Sequence, residues 1–531
     1  MLGLFNVIKN FFRKGGATFS MGNSLSLITD DQRIATDQDE IDRIRLAQLY
    51  YAGSYSAQKG MPVNTIKYFN SQGTEKVRNF NAVNITQMVS KREASICLNN
   101  GFNVSVASRS DPNGNGSGSI IDLVAQFIDD WLEKSGVNRN LEAKLEQGIP
   151  VGGFAARPYV DGDEIKIAWI RADQFFSLDS NTEEISQAAI SNKSVKVVNN
   201  QRYYYTLLEF HQWNNGEYQI TNELYKSTDS KTVGEQVSLG TDDMYSDITP
   251  EVSFTGFKQP LFAYFKVPGQ NNIAPESPLG IGFVNNTQNI LDAINYAHDS
   301  FVWEIRVGRR KVLVPAEAMK PGDEEHPETK FDPDDDTYLG INTGLDDNFQ
   351  ITPINPDIRV DDYQQTMQYF LHELENAVGL SSGTFTTDAQ GGITTATQVV
   401  SENSMTYQTR SSYLNRVSKF LSDLIVAVLQ LAQAPEAFDS GEALLSGIDV
   451  DNIQFNIHYD DGVFVDKDAQ AKQDMLAVTS GVMPKKQFLM RNYGLSEEDA
   501  NEWLAEVTAE APEIPINEAP GESDMLNGGD E

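Results

Sequence analysis

The chain has little of what catalytic sites are usually built from. Among its 531 residues there is one cysteine, and there are five histidines. A single Cys97 excludes an intramolecular disulfide framework and suits a reducing cytoplasm; its setting, Ser95-Ile96-Cys97-Leu98, is that of a buried structural thiol. The histidines are scattered, and none has a partner at metal-ligand spacing. His372-Glu373-Leu374-Glu375-Asn376 starts like a zinc-protease motif, but Asn376 stands where the second ligand is required. Asp332-Pro333-Asp334-Asp335-Asp336 opens like a calcium loop, yet Thr337 and Thr343 occupy the places of its glycine and glutamate. A Gly-Lys-Ser/Thr phosphate loop is missing, so the chain is not expected to hydrolyse ATP. Gly280-Ile281-Gly282 lacks the last glycine of a dinucleotide fingerprint. Neither cofactor, metal nor enzyme activity is expected.

Positive charge and long apolar runs are scarce as well. Lys and Arg number 41 against 76 Asp and Glu, a net charge of −35. That balance argues against tight, static binding of nucleic acid through phosphate neutralisation. The most apolar run, Leu424 to Leu429, falls far short of the roughly 18 residues that suggest a membrane span. The start of the chain carries Leu4, Phe5, Ile8, Phe11 and Phe12 as a helical stripe without the order of a secretory signal. A stripe of this kind also suits a membrane-surface peptide, but packing of residues 1–23 against a neighbouring subunit is the preferred reading.

What the sequence does have is a distinctive order of elements between Gly280 and Ala434. A helix begins after Pro278-Leu279-Gly280-Ile281-Gly282 and carries Ile290, Ile294, Ala297, Phe301 and Ile305 as an apolar stripe. It ends in a basic foot of Arg306, Arg309, Arg310 and Lys311. An acidic, irregular insertion follows, with strand candidates at 311–314 and 349–352. A second helix starts after Asp361-Asp362 and carries Tyr363, Met367, Phe370, Leu374 and Val378. The stretch from Gly379 to Ile393 is too rich in Gly and β-branched residues to stay helical. Thr395-Ala396-Thr397-Gln398 reads as a capping box opening a third, long helix that meets no breaker before Pro435. Leu414, Val417, Leu421, Leu424, Val428 and Leu431 give that helix a heptad seam. Its earlier half, with Ser401, Asn403, Ser404, Thr406, Gln408 and Thr409, is polar.

This order resembles the portal proteins of tailed bacteriophages, of the type found in long-tailed phages. The pieces that carry the resemblance are the helix after Pro278 with its basic foot, the Gly379-to-Ile393 loop, and Thr394-Thr395-Ala396-Thr397-Gln398-Val399-Val400-Ser401-Glu402. It implies an α+β, mainly helical fold that assembles into a ring: a wing over residues 24–280, a first stem helix over 281–311, a clip over 312–360 and a second stem helix over 361–378. A tunnel loop would then span 379–394, and the long helix with a following strand 395–465. Crown helices would occupy 466–510, and an acidic tail, disordered unless bound, 511–531. The function so implied is a DNA channel at one capsid vertex, used in packaging and ejection and joining head to tail. Implied partners are copies of the chain in rings of twelve, duplex DNA in transit, terminase, a head-completion or adaptor protein, and the major capsid and scaffolding proteins, with no membrane. The protein would be assembled in the host bacterial cytoplasm and end in the virion.

On this resemblance the DNA-facing residues are Thr384, Phe385, Thr386, Thr387, Asp388, Gln390, Gly391 and Gly392. The patch Arg306, Arg309, Arg310 and Lys311 would either meet phosphates or pair with acids of an adjacent clip. Two other classes share parts of the pattern. A ring-forming virion protein without DNA contact explains the helices and the acidity. A carbohydrate-binding or surface-binding protein explains the aromatic hairpin from Tyr203 to Trp213 but not the long central helices.

Elsewhere, helices are expected over 39–51, 82–98 and 120–134, the last with Leu123, Phe127 and Trp131 on its stripe. Residues 111–118 read as a flexible loop. Strands are expected over 165–170, 203–213, 218–225 and 454–459, with a tight hairpin at Asn214-Asn215-Gly216. Short helices are expected over 466–480, 485–493 and 497–510, the last capped by Ser496.

Overall fold

The structure, a computed structural model, describes residues 24–54, 64–69, 74–99, 101–109, 118–180, 184–308, 311–315, 338–341, 352–354, 357–386, 404–459, 467–493, 495 and 497–510. The chain divides into two compact units, Met1–Asp460 and Asp461–Glu531. Among the described residues helix outweighs strand, and the fold is α+β.

In the first unit a seven-stranded antiparallel sheet runs in the order Ser24–Leu25, Gly234–Val237, Glu217–Ser227, Gln201–Asn214, Ile185–Val198 and Phe175–Ser180, with Glu251–Phe254 also on Glu217–Ser227. Its central hairpin turns through Asn215 (φ 52°) and Gly216 (φ 87°), left-handed at both central positions as a two-residue hairpin requires. A three-stranded sheet (Ala263–Lys266, Gly153–Asp161, Glu164–Arg171) packs on the long helix Ser404–Ala432. Phe420 is the contact, 5.1 Å from Phe154 and 6.4 Å from Phe265 between ring centres. The whole heptad seam from Leu414 to Leu431 is buried, and each such side chain contributes about 1.5–3 kcal/mol by leaving water. The earlier half of this helix is more exposed, although Thr406 and Arg410 are buried. The capping box at 395–398 lies outside the described residues, as do 1–23, 111–117, Ser496 and the tail from 511.

Two helical stripes differ from expectation. In Gly118–Ser135 the buried residues are Val124, Ile128, Trp131 and Leu132, while Leu123 is 52% exposed. The helix is wedged against the strands Phe102–Ser108 and Glu164–Arg171 and turned so that Trp131 Nε1 donates to the Ile165 carbonyl at 3.2 Å. In Phe283–Val307 the buried positions are Val284, Thr287, Leu291, Ile294, Asn295 and Asp299, and Ile305 is 45% exposed. That helix is covered on two sides, one of them polar, so its apolar residues alone do not mark its buried arc.

Ile453–Tyr459 forms as expected, but its partner is Phe102–Ser108, which the sequence did not suggest. The insertion between the central helices carries three strands. Lys311–Pro315 is flanked by Tyr338–Ile341 in parallel and by Thr352–Ile354 in antiparallel pairing. In the second unit the helices Lys467–Thr479, Lys485–Tyr493 and Glu497–Glu510 match their expected places. Asn492 Nδ2 donates to Asp474 Oδ2 at 3.0 Å, and Tyr493 meets Trp503 at 6.1 Å. Among the described residues no helix is long and apolar enough to cross a membrane.

Candidate nucleic-acid interface

The central helices Phe283–Val307 and Val360–Val378 pack side by side, with Phe301 and Tyr363 5.0 Å apart between ring centres. At the base of the pair Arg359 clasps Glu304. Its Nη2 lies 2.7 Å from Glu304 Oε2 and its backbone N–H donates to Oε1 at 3.1 Å. These hydrogen bonds hold the Glu304 carboxyl down to about 2. The first helix starts from a weld of backbones. A Cβ on Gly280 would sit 2.0 Å from the Gly152 carbonyl oxygen, and one on Gly282 1.9 Å from that of Pro150, so only glycine fits.

Along its length the first helix is tied to the segment 78–83 by polar side chains. Asp299 accepts from Arg78 at 2.8 and 2.6 Å and from the Asn81 N–H at 2.9 Å. Asn295 Oδ1 accepts from the Val83 N–H at 2.9 Å, and His298 Nδ1 bonds the Asn81 carbonyl at 2.8 Å. Burial would raise the Asp299 carboxyl, but Arg78 and Asn81 bring it below its usual range.

The second helix becomes more buried toward its end, where Leu374, Glu375 and Val378 enter the core. Gly379 stops it at φ 75°, and the Leu380 N–H returns to the Glu375 carbonyl at 2.8 Å. The loop root that follows is pinned from two directions. The long helix supplies Thr409, whose hydroxyl donates to the Gly379 carbonyl at 2.7 Å, and Thr406, whose hydroxyl accepts from the Ser381 N–H at 2.8 Å. The second helix supplies the Glu375 carboxylate. It accepts from the Phe385 N–H at 2.5 Å, the Thr386 N–H at 3.0 Å and the Thr386 hydroxyl at 3.2 Å. Its side chain is 0% exposed, and the half-exposed His372 Nδ1 stands 3.6 Å away.

Three of the expected DNA-facing residues lie in this root. Thr384 donates to the Ser381 carbonyl at 2.7 Å, Phe385 is half-buried against the core, and Thr386 is held by Glu375. Thr387, Asp388, Gln390, Gly391 and Gly392 lie outside the described residues. Of the basic patch, Arg306 is exposed in the last turn of the first helix and Lys311 opens a strand; Arg309 and Arg310 lie outside the described residues. Sequence reasoning missed Glu375, Glu304 and Arg359. The only available hint was that each stands beside a helix end, where charge and capping matter.

Two buried polar groups invite a catalytic reading. Glu209 pairs with Arg157 at 2.8 Å and with His211 Nε2 at 2.5 Å, and the Tyr218 hydroxyl, 2.7 Å from His211 Nδ1, accepts from the Leu261 N–H. His211 is 0% exposed, its imidazole is pushed down by burial, and the cavity of about 30 Å³ beside Arg157 and Glu209 has room for little more than water. Glu93 faces the long helix, where the Tyr413 hydroxyl reaches it at 3.3 Å, and burial pushes its carboxyl up to about 8. Neighbouring Cys97 is pushed up to about 12 by burial, as befits a structural thiol. Among the described residues no cluster of three or more acids, histidines or cysteines could hold a metal.

No curated protein matches the chain. The family model described as phage portal protein, SPP1 Gp6-like, matches residues 30–513, nearly the entire sequence, and overlies the central helices, the clamped loop root and the long helix. The chain belongs to this family of phage portal proteins.

Proposed function

We propose that the protein forms a ring at one capsid vertex and that duplex DNA passes through its centre during packaging and ejection. The ring would seat the terminase, bind a head-completion protein, and contact capsid and scaffolding proteins. The observation that carries the reading is the loop root: the second central helix and the long helix converge on residues 379–386 with a buried carboxylate and two threonine hydroxyls. A loop anchored so firmly at its base can reach into a channel without loosening the body. The central helices act as the stem, residues 312–360 as the clip, residues 24–280 as the wing, and 466–510 as the crown. Small polar groups from Thr387 to Gln390 would exchange hydrogen bonds between water and phosphate. Gly391 and Gly392 would let each copy adapt to a duplex whose symmetry differs from the ring's. The acidic balance of the chain keeps the polymer mobile, since each cation paired with a phosphate would deepen a trap.

Electron microscopy of the purified chain tests the assembly; the expected result is a ring with a central channel, twelve-fold by family resemblance. The double substitution Gly391→Pro, Gly392→Pro tests the loop. Rings should form as usual while packaging or DNA retention falls. Normal packaging and retention in that variant would remove the case for a tunnel loop.

A further inference from the structure

A β-ribbon lies on one flank of the first central helix and is covered on one face only. Its strands, Thr65–Phe69 and Glu75–Asn79, pair with Ile66 opposite Arg78, Lys67 opposite Val77 and Phe69 opposite Glu75. Alternation therefore puts Ile66, Tyr68 and Arg78 on one face and Lys67, Phe69, Glu75 and Val77 on the other. The helix holds the first face. Tyr68 lies 5.6 Å from Trp303 between ring centres, and the Arg78 guanidinium sits 4.5 Å over Trp303 while pairing with Asp299 at 2.6 Å. The second face is open, with Phe69 69% and Val77 56% exposed beside a Lys67–Glu75 pair. A two-stranded ribbon is marginal in water on its own, and a second covering layer would stabilise it.

The other flank of the helix pair offers a surface of matching kind. An open groove of about 680 Å³ is lined by Phe301, Tyr363 and Met367 and rimmed by Asp361, Gln364 and Gln368. Phe301 is two residues from both Asp299 and Trp303, and residues so spaced on a helix do not share a face. The groove thus opens on a different side of the helix from Trp303 and the ribbon packed on it, with His298, bonded to the Asn81 carbonyl, at its border. The charges also complement each other. With Arg78 spent on Asp299, the exposed ribbon carries Lys67 and Lys76 against Glu75, one positive charge in excess in a chain of net charge −35, and Asp361 stands on the groove rim.

We propose that the groove receives the open face of the ribbon, Phe69 and Val77 foremost, from a second copy of this chain. Each subunit then offers a ribbon on one flank and a groove on the other. Two different, complementary patches on one chain make a head-to-tail contact, which closes into a ring where the rotation permits. The inference rests on the ring reading above and adds which surfaces meet.

Disulfide trapping in the full chain tests it, because Cys97 is the only native cysteine and is buried. Two pairs are introduced separately, Val77→Cys with Gln368→Cys and Phe69→Cys with Gln364→Cys. Mild oxidation followed by a denaturing gel should give a ladder of covalent multimers from at least one pair and monomers from each single substitution. Electron microscopy of the same samples separates the two readings. Rings with no ladder from either pair overturn the ribbon–groove contact, leave the ring intact, and free the groove for a different partner. A ladder on open filaments keeps the contact and sinks the closed ring, whereas neither rings nor ladder sinks both. Covalent dimers from Val77→Cys alone would mean a symmetric contact and overturn the head-to-tail arrangement.

Discussion

Glu375 and Glu93 show how a buried carboxylate can serve opposite ends. Glu375 is enclosed yet receives two backbone N–H groups and a hydroxyl from Phe385 and Thr386. Removing it leaves partly buried donors without their acceptor, at a cost of up to about 1–3 kcal/mol. Glu375→Ala should therefore speed hydrogen exchange at the Phe385 and Thr386 amides by roughly 5- to 150-fold, with Glu375→Gln intermediate; unchanged exchange would refute the anchor. Glu93 has one hydroxyl, from Tyr413, and burial pushes its carboxyl from 4.5 up to about 8. The folded chain then holds a proton that the unfolded chain has released, so this contribution is complete below about pH 4.5 and is lost as pH rises through about 8. The stability of wild type relative to Glu93→Gln, followed by urea unfolding, should fall across that window and level off above it. Neither role was legible in the sequence. Both glutamates stand on helices, where an acid reads as solvated surface, and their partners sit on other elements or beyond a turn.

At the scale of elements, what could be read depended on how many sides were covered. Val360–Val378 is buried along one arc only, and the stripe from Tyr363 to Val378 was placed correctly. Phe283–Val307 is covered twice, once through Asn295 and Asp299, and apolar periodicity does not see a polar interface. The strand Phe102–Ser108 was missed because Asn103, Ser105 and Ser108 dilute it and its partner, Ile453–Tyr459, lies far along the chain. Helix ends were legible where a special residue enforced them. Gly379 has φ 75°, and a Cβ there would meet Thr409 Oγ1 at 2.5 Å. Gly379→Ala should lower the unfolding free energy by at least about 1–2 kcal/mol, the usual cost of a left-handed non-glycine residue. A midpoint equal to wild type in denaturant titration would contradict that. Gly280→Ala should be worse, since its Cβ would meet backbone rather than a side chain that can rotate; loss of soluble protein or a large fall in melting temperature is the expected result.

For the whole molecule, the order of helix, insertion, helix, loop and long helix was the most legible feature, and it lies within the family match over residues 30–513. The bodies around it were less so, because sheets join strands that are distant in sequence. Net charge makes a prediction of its own. Subunits carrying −35 each repel as they gather, and the range of that repulsion shrinks from about 30 Å at 0.01 M salt to about 8 Å at 0.15 M. Sedimentation should accordingly show a larger assembled fraction as salt rises over this interval; assembly that weakens steadily would place attraction between opposite charges above the net repulsion. The isolated chain should release no phosphate from ATP in a turnover assay, for want of a phosphate loop.

The clasp between Glu304 and Arg359 has an evolutionary side. It brings the two ends of residues 305–358 to one point, so whatever is strung between them enters and leaves through a single doorway. The entropy of closing such a segment grows only slowly with its length. That stretch can be lengthened, shortened or exchanged while the helices beneath keep their places. A change of length or sequence between the two ends is thereby kept apart from the packing of the helices.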